Sequence, residues 1–251
     1  MNTNKYRIRV CTDKNLGAEQ FARRFLGAWL KGNKLLRPDR FAHGEPVKNP
    51  IDIVGLAGLV EEWSKPPALM FRRISKPKFI AEIRWRAERG LDTRPYPWGV
   101  DVWLDLDAGD DLAIEFFQTL VLWFEAAFAS LTTTDDAERK HFVKYPYVRK
   151  GKILGTAERY VGLDVGETFP GIYWLTYFSG QLLDQAKYQA LPSGVATKLD
   201  DRGYVLKTLN SSSQIGTEHA KHIERRIVET LGAENFFDSA TWLKKNEALS
   251  Q

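Results

Sequence analysis

The chain has 251 residues, 43% of them hydrophobic and 27% charged, with a net charge of +4. Those proportions exclude a disordered or collagen-like polypeptide and fit a globular chain of one large domain or two small ones. One cysteine excludes an intramolecular disulfide and a cysteine zinc cage, while 14 Phe, nine Tyr and eight Trp supply the bulk of a sizeable core.

The opening MNTNKYRIRV carries charges with no apolar stretch behind them, unlike a secretory signal. The longest apolar run, Phe116 to Leu131, is broken by Gln118 and Glu125. It falls short of the roughly 20 residues a membrane span needs. With a lone thiol and no export signal, the expected compartment is the cytoplasm.

Lys5 to Cys11 alternates, with Tyr6, Ile8 and Val10 on one side and Arg7 and Arg9 on the other, which predicts a half-buried strand. Asn15 is placed to cap a helix carrying Ala18, Phe21, Ala22, Phe25 and Trp29 at helical spacing, ended by Gly32 and Asn33. Arg37 to Pro50 reads as an irregular connection, and Ile53 to Trp63 as a short helix stopped by Pro66 and Pro67. Leu69 to Ile74 is a strand. Lys78 to Arg86 and Trp98 to Asp107 then alternate with period two around a loop holding Gly90, Pro95 and Pro97, the pattern of a hairpin.

Asp110 and Asp111 open the most apolar helix, Leu112 to Ala129, at the end where carboxylates favour the helix dipole. Thr132 to Asp136 reads as a turn and cap, and Lys144 to Lys152 as a basic loop. In the second half, Tyr160 to Val165 and Ile172 to Phe178 read as strands and Leu182 to Tyr188 as a short helix. Val195 to Leu199 and Tyr204 to Leu209 flank a turn, and a helix runs from Ser213 to Leu231, closed by Gly232. The expected architecture is α+β: a mostly antiparallel sheet covered by helices, in one compact domain with sub-lobes of about 1–150 and 151–251.

Charge is distributed in blocks. Arg72 to Arg94 holds eight Lys or Arg against three acids, and Asp101 to Asp136 holds nine acids with no Lys or Arg. If the two strands pair, Arg84 and Arg86 lie beside Asp101, Asp105 and Trp103, and mutual neutralisation accounts for both blocks.

Signatures of catalysis are absent: no GxGxxG, Walker loop, HExxH or GxSxG occurs. Cys11 has no catalytic histidine context, and His219 and His222 read as polar helix surface. Asp101 and Asp105 with Glu82 suggest a metal-dependent nuclease, but the Glu82-Ile83-Arg84 motif carries Arg where such a site needs Lys. Lys144, Arg149, Lys150 and Lys152 would serve a nucleic-acid-binding module. The third reading is a protein-binding patch formed by Tyr96, Asp101, Trp103, Asp105 and Asp107.

The most distinctive stretch is Val161-Gly162-Leu163-Asp164-Val165-Gly166-Glu167-Thr168-Phe169-Pro170-Gly171-Ile172-Tyr173-Trp174-Leu175-Thr176-Tyr177-Phe178. It resembles the G-L-x-V-G-x-T-x-P-G-I-Y-W-x-x-Y-F block of the immunity protein 52 family, encoded in bacterial polymorphic-toxin and type VI secretion loci. The β-α opening and Arg40-Phe41-Ala42-His43-Gly44-Glu45-Pro46 extend the likeness over most of the chain. The resemblance implies a non-catalytic protein that binds and neutralises a cognate secreted toxin, a nuclease of restriction-endonuclease-like fold. It implies no cofactor, no metal, no membrane association and no direct nucleic-acid binding. The block itself reads as scaffold, with Gly166 and Gly171 permitting a tight connection between aromatic strands. The basic composition departs from that of a DNA-mimicking inhibitor.

Overall fold

A computed structural model of the chain describes residues 4–65, 68–85, 98–106, 109–149, 152–163, 165, 168–183 and 185–248. Strand β1 (Asn4–Thr12) follows the alternation, with Tyr6, Ile8 and Val10 in the core. Arg7 and Arg9 on its other side are buried too, so the strand is covered on both faces rather than one. Helix α1 (Glu19–Lys31) starts after Ala18, which offers no side-chain cap. Asn15 instead accepts the Gly17 N–H at 3.0 Å, turning the chain two residues ahead of the helix.

The stretch expected to be irregular contains two short strands, β2 (Arg40–Ala42) and β3 (Asn49–Pro50). Helix α2 (Ile51–Trp63) follows, interrupted at Gly55, whose φ of 63° is non-helical. The buried indoles of Trp29 and Trp63 donate to the Leu36 and Leu16 carbonyls at 2.7 and 2.8 Å, so neither leaves a polar atom unpaired. Strands β4 (Ala68–Arg73), β5 (Lys78–Arg84) and β6 (Trp98–Leu106) form the expected antiparallel set.

Helix α3 (Asp110–Trp123) is shorter than its apolar run suggests. Glu125 adopts a positive φ of 46°, and Phe128–Thr133 becomes strand β7 instead of the last helical turns. Five of the six β7 residues are buried, Ser130 and Thr132 among them, so neither side of the strand faces water and its start merges with the apolar run of the helix. Thr133 caps a further helix, α4 (Thr134–His141), by accepting the Asp136 N–H; the turn and cap were expected here, the helix itself was not.

The expected basic loop is a hairpin of β8 (Phe142–Arg149) and β9 (Lys152–Tyr160) forming its own two-stranded sheet. Strand β9 thus ends where a strand from Tyr160 to Val165 was expected to begin, and among the described residues the next strand is β10 (Leu175–Ser179). Helix α5 (Gln185–Gln189) precedes the hairpin β11 (Ala196–Asp200) and β12 (Gly203–Lys207). Ser212–Gln214 form a 3-10 turn, and α6 (Glu218–Leu231) begins only at its Thr217 cap, not at Ser213. Helix α7 (Ser239–Ala248), not anticipated, follows.

Ten strands make one sheet in the order β11-β12-β10-β7-β1-β6-β5-β4-β2-β3, every neighbouring pair antiparallel. The sheet is continuous across position 150, because β10 hydrogen-bonds β7. Helices α1, α2 and α3 cover one face through Phe25, Trp29, Trp63 and Phe116. On the other face, Ile227 and Leu231 of α6 pack with Phe128, Phe178 and Leu206, over β7, β10 and β12. The aromatic block therefore works as frame: Tyr173, Trp174, Tyr177 and Phe178 are all buried.

Gly162 sits between β9 and that frame at φ 62°, and a Cβ there would lie 2.2 Å from the Phe237 ring. Gly162→Ala is expected to cost about 2–4 kcal/mol, adding left-handed backbone strain to overpacking. Urea unfolding of the variant checks this.

Candidate functional site

Because directly opposed residues in antiparallel strands share a face, the register sets out the second side of the sheet row by row. One row runs Met70, Glu82, Asp101, Arg9, Ser130 and Thr176. The next runs Arg40, Arg72, Ile80, Trp103, Arg7 and Thr132. A third places Asp105 between Lys78 and Lys5. Over β7, β10 and β12 this side is covered by α6 and mixes Phe128, Phe178 and Leu206 with the buried Ser130, Thr132 and Thr176, while over β1, β6, β5 and β4 it is mostly polar.

Asp101 is the electrostatic centre. Its carboxylate accepts from Arg7 at 3.3 Å, from Arg9 at 2.9 and 3.0 Å and from Arg84 at 2.8 Å. The residue is 3% exposed, so it is enclosed by guanidinium groups rather than presented to a partner. Trp103, one row away, is 37% exposed, and the Arg7 guanidinium lies 5.6 Å from its ring centroid. Asp105 is half-buried. Of the expected patch, Asp101, Trp103 and Asp105 thus share one face but not one role, while Tyr96 and Asp107 lie outside the described residues, as does Arg86.

Two depressions meet at Trp103. One, of about 370 Å³, is bordered by Arg7, Arg9, Glu82, Arg84 and Trp242. The other, of about 400 Å³, is bordered by Lys5, Arg72, Lys78, Ile80 and Asp105. The same register puts Lys5, Arg7, Arg9, Arg40, Arg72, Lys78 and Arg84 on this face against Glu82, Asp101 and Asp105. The face is therefore net cationic, beyond the mutual neutralisation expected from the pairing of β5 with β6 alone. The arginines of β1, distant in sequence, outweigh the carboxylates of β6.

The suggested nuclease triad is not assembled as a metal site. The Asp101 carboxylate is held by three arginines, where a divalent cation would be repelled. Among the described residues no group of three or more His, Cys, Asp or Glu is placed to hold a metal ion. His219 and His222 are exposed on α6, and Cys11 is buried. Lys144 of the basic segment is paired with Glu158 at 2.6 Å across the β8–β9 hairpin, on whose strands Arg149 and Lys152 also fall. Lys150 lies outside the described residues.

Beside the cationic face, α4 carries a buried network that sequence reading missed. Asp136 accepts from Thr132 at 2.6 Å and pairs with Lys140 at 3.1 Å, which also meets Glu224 of α6 at 3.1 Å. Burial pushes the Asp136 carboxyl up, but Lys140, Thr132 and Arg139 outweigh it and hold it below the usual carboxylate range. Burial raises Glu224. His141 follows, wholly buried, with Nδ1 2.8 Å from the Val161 carbonyl and Nε2 against the Tyr173 hydroxyl. A carbonyl only accepts, so Nδ1 carries the proton and Tyr173 donates to Nε2. The ring is neutral, its pKa pushed down to about 4 by burial. The cap of α4 was legible, but its ties to β7 and α6 were not.

Among the described residues no helix is long and apolar enough to cross a membrane. No family model matches the sequence, and no curated protein matches it. Among solved structures, the Pseudomonas aeruginosa T6SS protein PA0821 is similar over 98% of this chain and 88% of its own, at 11% identity and a TM-score of 0.49.

Proposed function

We propose that this chain is an immunity protein that binds a cognate secreted toxin and neutralises it through a protein–protein interface, without chemistry of its own. The Val161–Phe178 block supports the reading by its resemblance to the immunity protein 52 family. The observation that carries it is the uncovered part of the sheet: a half-exposed Trp103 ringed by Lys5, Arg72, Lys78 and Arg84. Aromatic and arginine anchors of this kind are enriched at the energetic centres of interfaces. The cations call for an acidic partner surface. The carboxylates of a metal-dependent nuclease centre are one such surface, and covering them would block its reaction.

The test is to express the toxin encoded beside this gene, with and without the chain, and to measure the affinity of the pair. Wild-type protein is expected to rescue growth. Trp103→Ala combined with Lys78→Glu should weaken binding at least about 30-fold and abolish rescue, with the unfolding midpoint unchanged. Full protection by that variant would rule out this face as the interface.

A further inference from the structure

The geometry points to the depression between Trp103 and Asp105 as a binding site for a purine nucleoside monophosphate, a ligand class separate from the protein partner proposed above. Its volume of about 400 Å³ lies within the range of about 300–1,000 Å³ typical of small-molecule sites. Three features of its lining each require a different part of such a ligand.

The first is a planar wall. Trp103 stands in the middle of the sheet with 37% of its surface exposed, where a tryptophan would ordinarily be covered. Neighbouring Ile80 is only partly buried. An indole beside an aliphatic side chain suits a stacked aromatic base.

The second is a set of cations without counter-charges. Lys5, Arg72 and Lys78 border the depression from three strands, all exposed, and none makes an ion pair among the described residues. The nearest carboxylate, Asp105, lies between the two lysines in register yet within ion-pair distance of neither. Three convergent cations on a rigid sheet favour a compact dianion such as phosphate over a single carboxylate.

The third is an unmet acceptor. Asp105 Oδ1 is buried and has no hydrogen-bond partner. A buried carboxylate oxygen without a donor is costly, and a ligand N–H would satisfy it. Purine bases bring a broad stacking face and ring or exocyclic N–H groups, and a 5′-monophosphate supplies the dianion. A bare phosphate would leave both Trp103 and Asp105 unused.

The experiment is calorimetric titration of the full-length protein with AMP, GMP and ribose 5-phosphate, which carries the same phosphate without a base. At least one nucleotide is expected to bind saturably and about tenfold or more tighter than ribose 5-phosphate, the contribution of one stacked base. Trp103→Ala and Asp105→Asn should each remove that preference while leaving ribose 5-phosphate binding in place, and Trp103→Phe should retain part of it. Lys5→Ala and Lys78→Ala should weaken nucleotide and ribose 5-phosphate alike. Leu154→Ala, on the exposed β9 strand, serves as the unaffected control. Absence of saturable nucleotide binding at millimolar concentration would overturn the assignment. So would ribose 5-phosphate binding as tightly as both nucleotides, or a preference that survives Trp103→Ala. These outcomes are independent of toxin neutralisation, which is read by growth.

Discussion

Asp101→Ala is expected to destabilise the protein by about 3–5 kcal/mol, because it removes one partner of a buried charge cluster. The Arg7 and Arg9 side chains are each 10% exposed, against 4% for Asp101. Without the carboxylate, two guanidinium groups stay out of water, lose the charge that holds them together and repel one another. Arg84 is different: its side chain is 45% exposed and can turn to solvent, so it adds little to the loss. The cost is thus that of removing the shared carboxylate from Arg7 and Arg9. Adding Arg9→Met to Asp101→Ala should therefore recover part of it, since one of two mutually repelling buried charges is replaced by an apolar side chain of similar length. Urea unfolding of the single and double variants measures both effects. A loss below about 1 kcal/mol for Asp101→Ala would mean that the cluster is hydrated like a surface ion pair.

Acid should weaken the fold through His141. In the folded protein its pKa is about 4, against an ordinary value of 6.5, because burial disfavours the charged ring. Between those values the unfolded chain takes up a proton that the folded chain refuses, so stability falls as pH drops from about 6.5 and the loss is complete near 4. The full effect is about 3 kcal/mol. Protonation would also turn Nε2 into a donor facing the Tyr173 hydroxyl, breaking the bond that Tyr173 donates.

Other titrating groups pack nearby. Asp136, held below the usual range, loses its contribution only at lower pH, and Glu224, raised by burial, acts in the opposite sense. His141→Gln keeps one donor and one acceptor but cannot take up the proton. Its stability should therefore be nearly flat from about pH 6.5 to about pH 4.5, where that of the wild type falls. An unchanged slope in the variant would assign the acid sensitivity to the carboxylates instead.

The pairing of β5 with β6 was legible because both strands alternate cleanly and are joined by a turn-rich segment. The hairpin of β11 and β12 was legible for the same reason. Strand β7 was not, since five of its six residues are buried and it follows an apolar helix without a change of composition. The β8–β9 hairpin erred in the opposite direction. Its Lys144, Pro146, Arg149 and Gly155 dilute the strand signal, and only the backbone ladder reveals it.

By itself the sequence determined which side chains share a side of each strand, because alternation is a property of the extended backbone within a few residues. That was enough to put Arg7 with Arg9, and Asp101 with Trp103 and Asp105. Which of these sets meet was decided only by tertiary structure. Arg9 and Asp101 are 92 positions apart and are brought together by the antiparallel pairing of β1 with β6. Local periodicity carries no information about such a pairing, which depends on burying both apolar sides of the sheet at once. The sign of the site's charge followed from it: the carboxylates of β6 were outnumbered once the arginines of β1 lay alongside as well as the cations of β5.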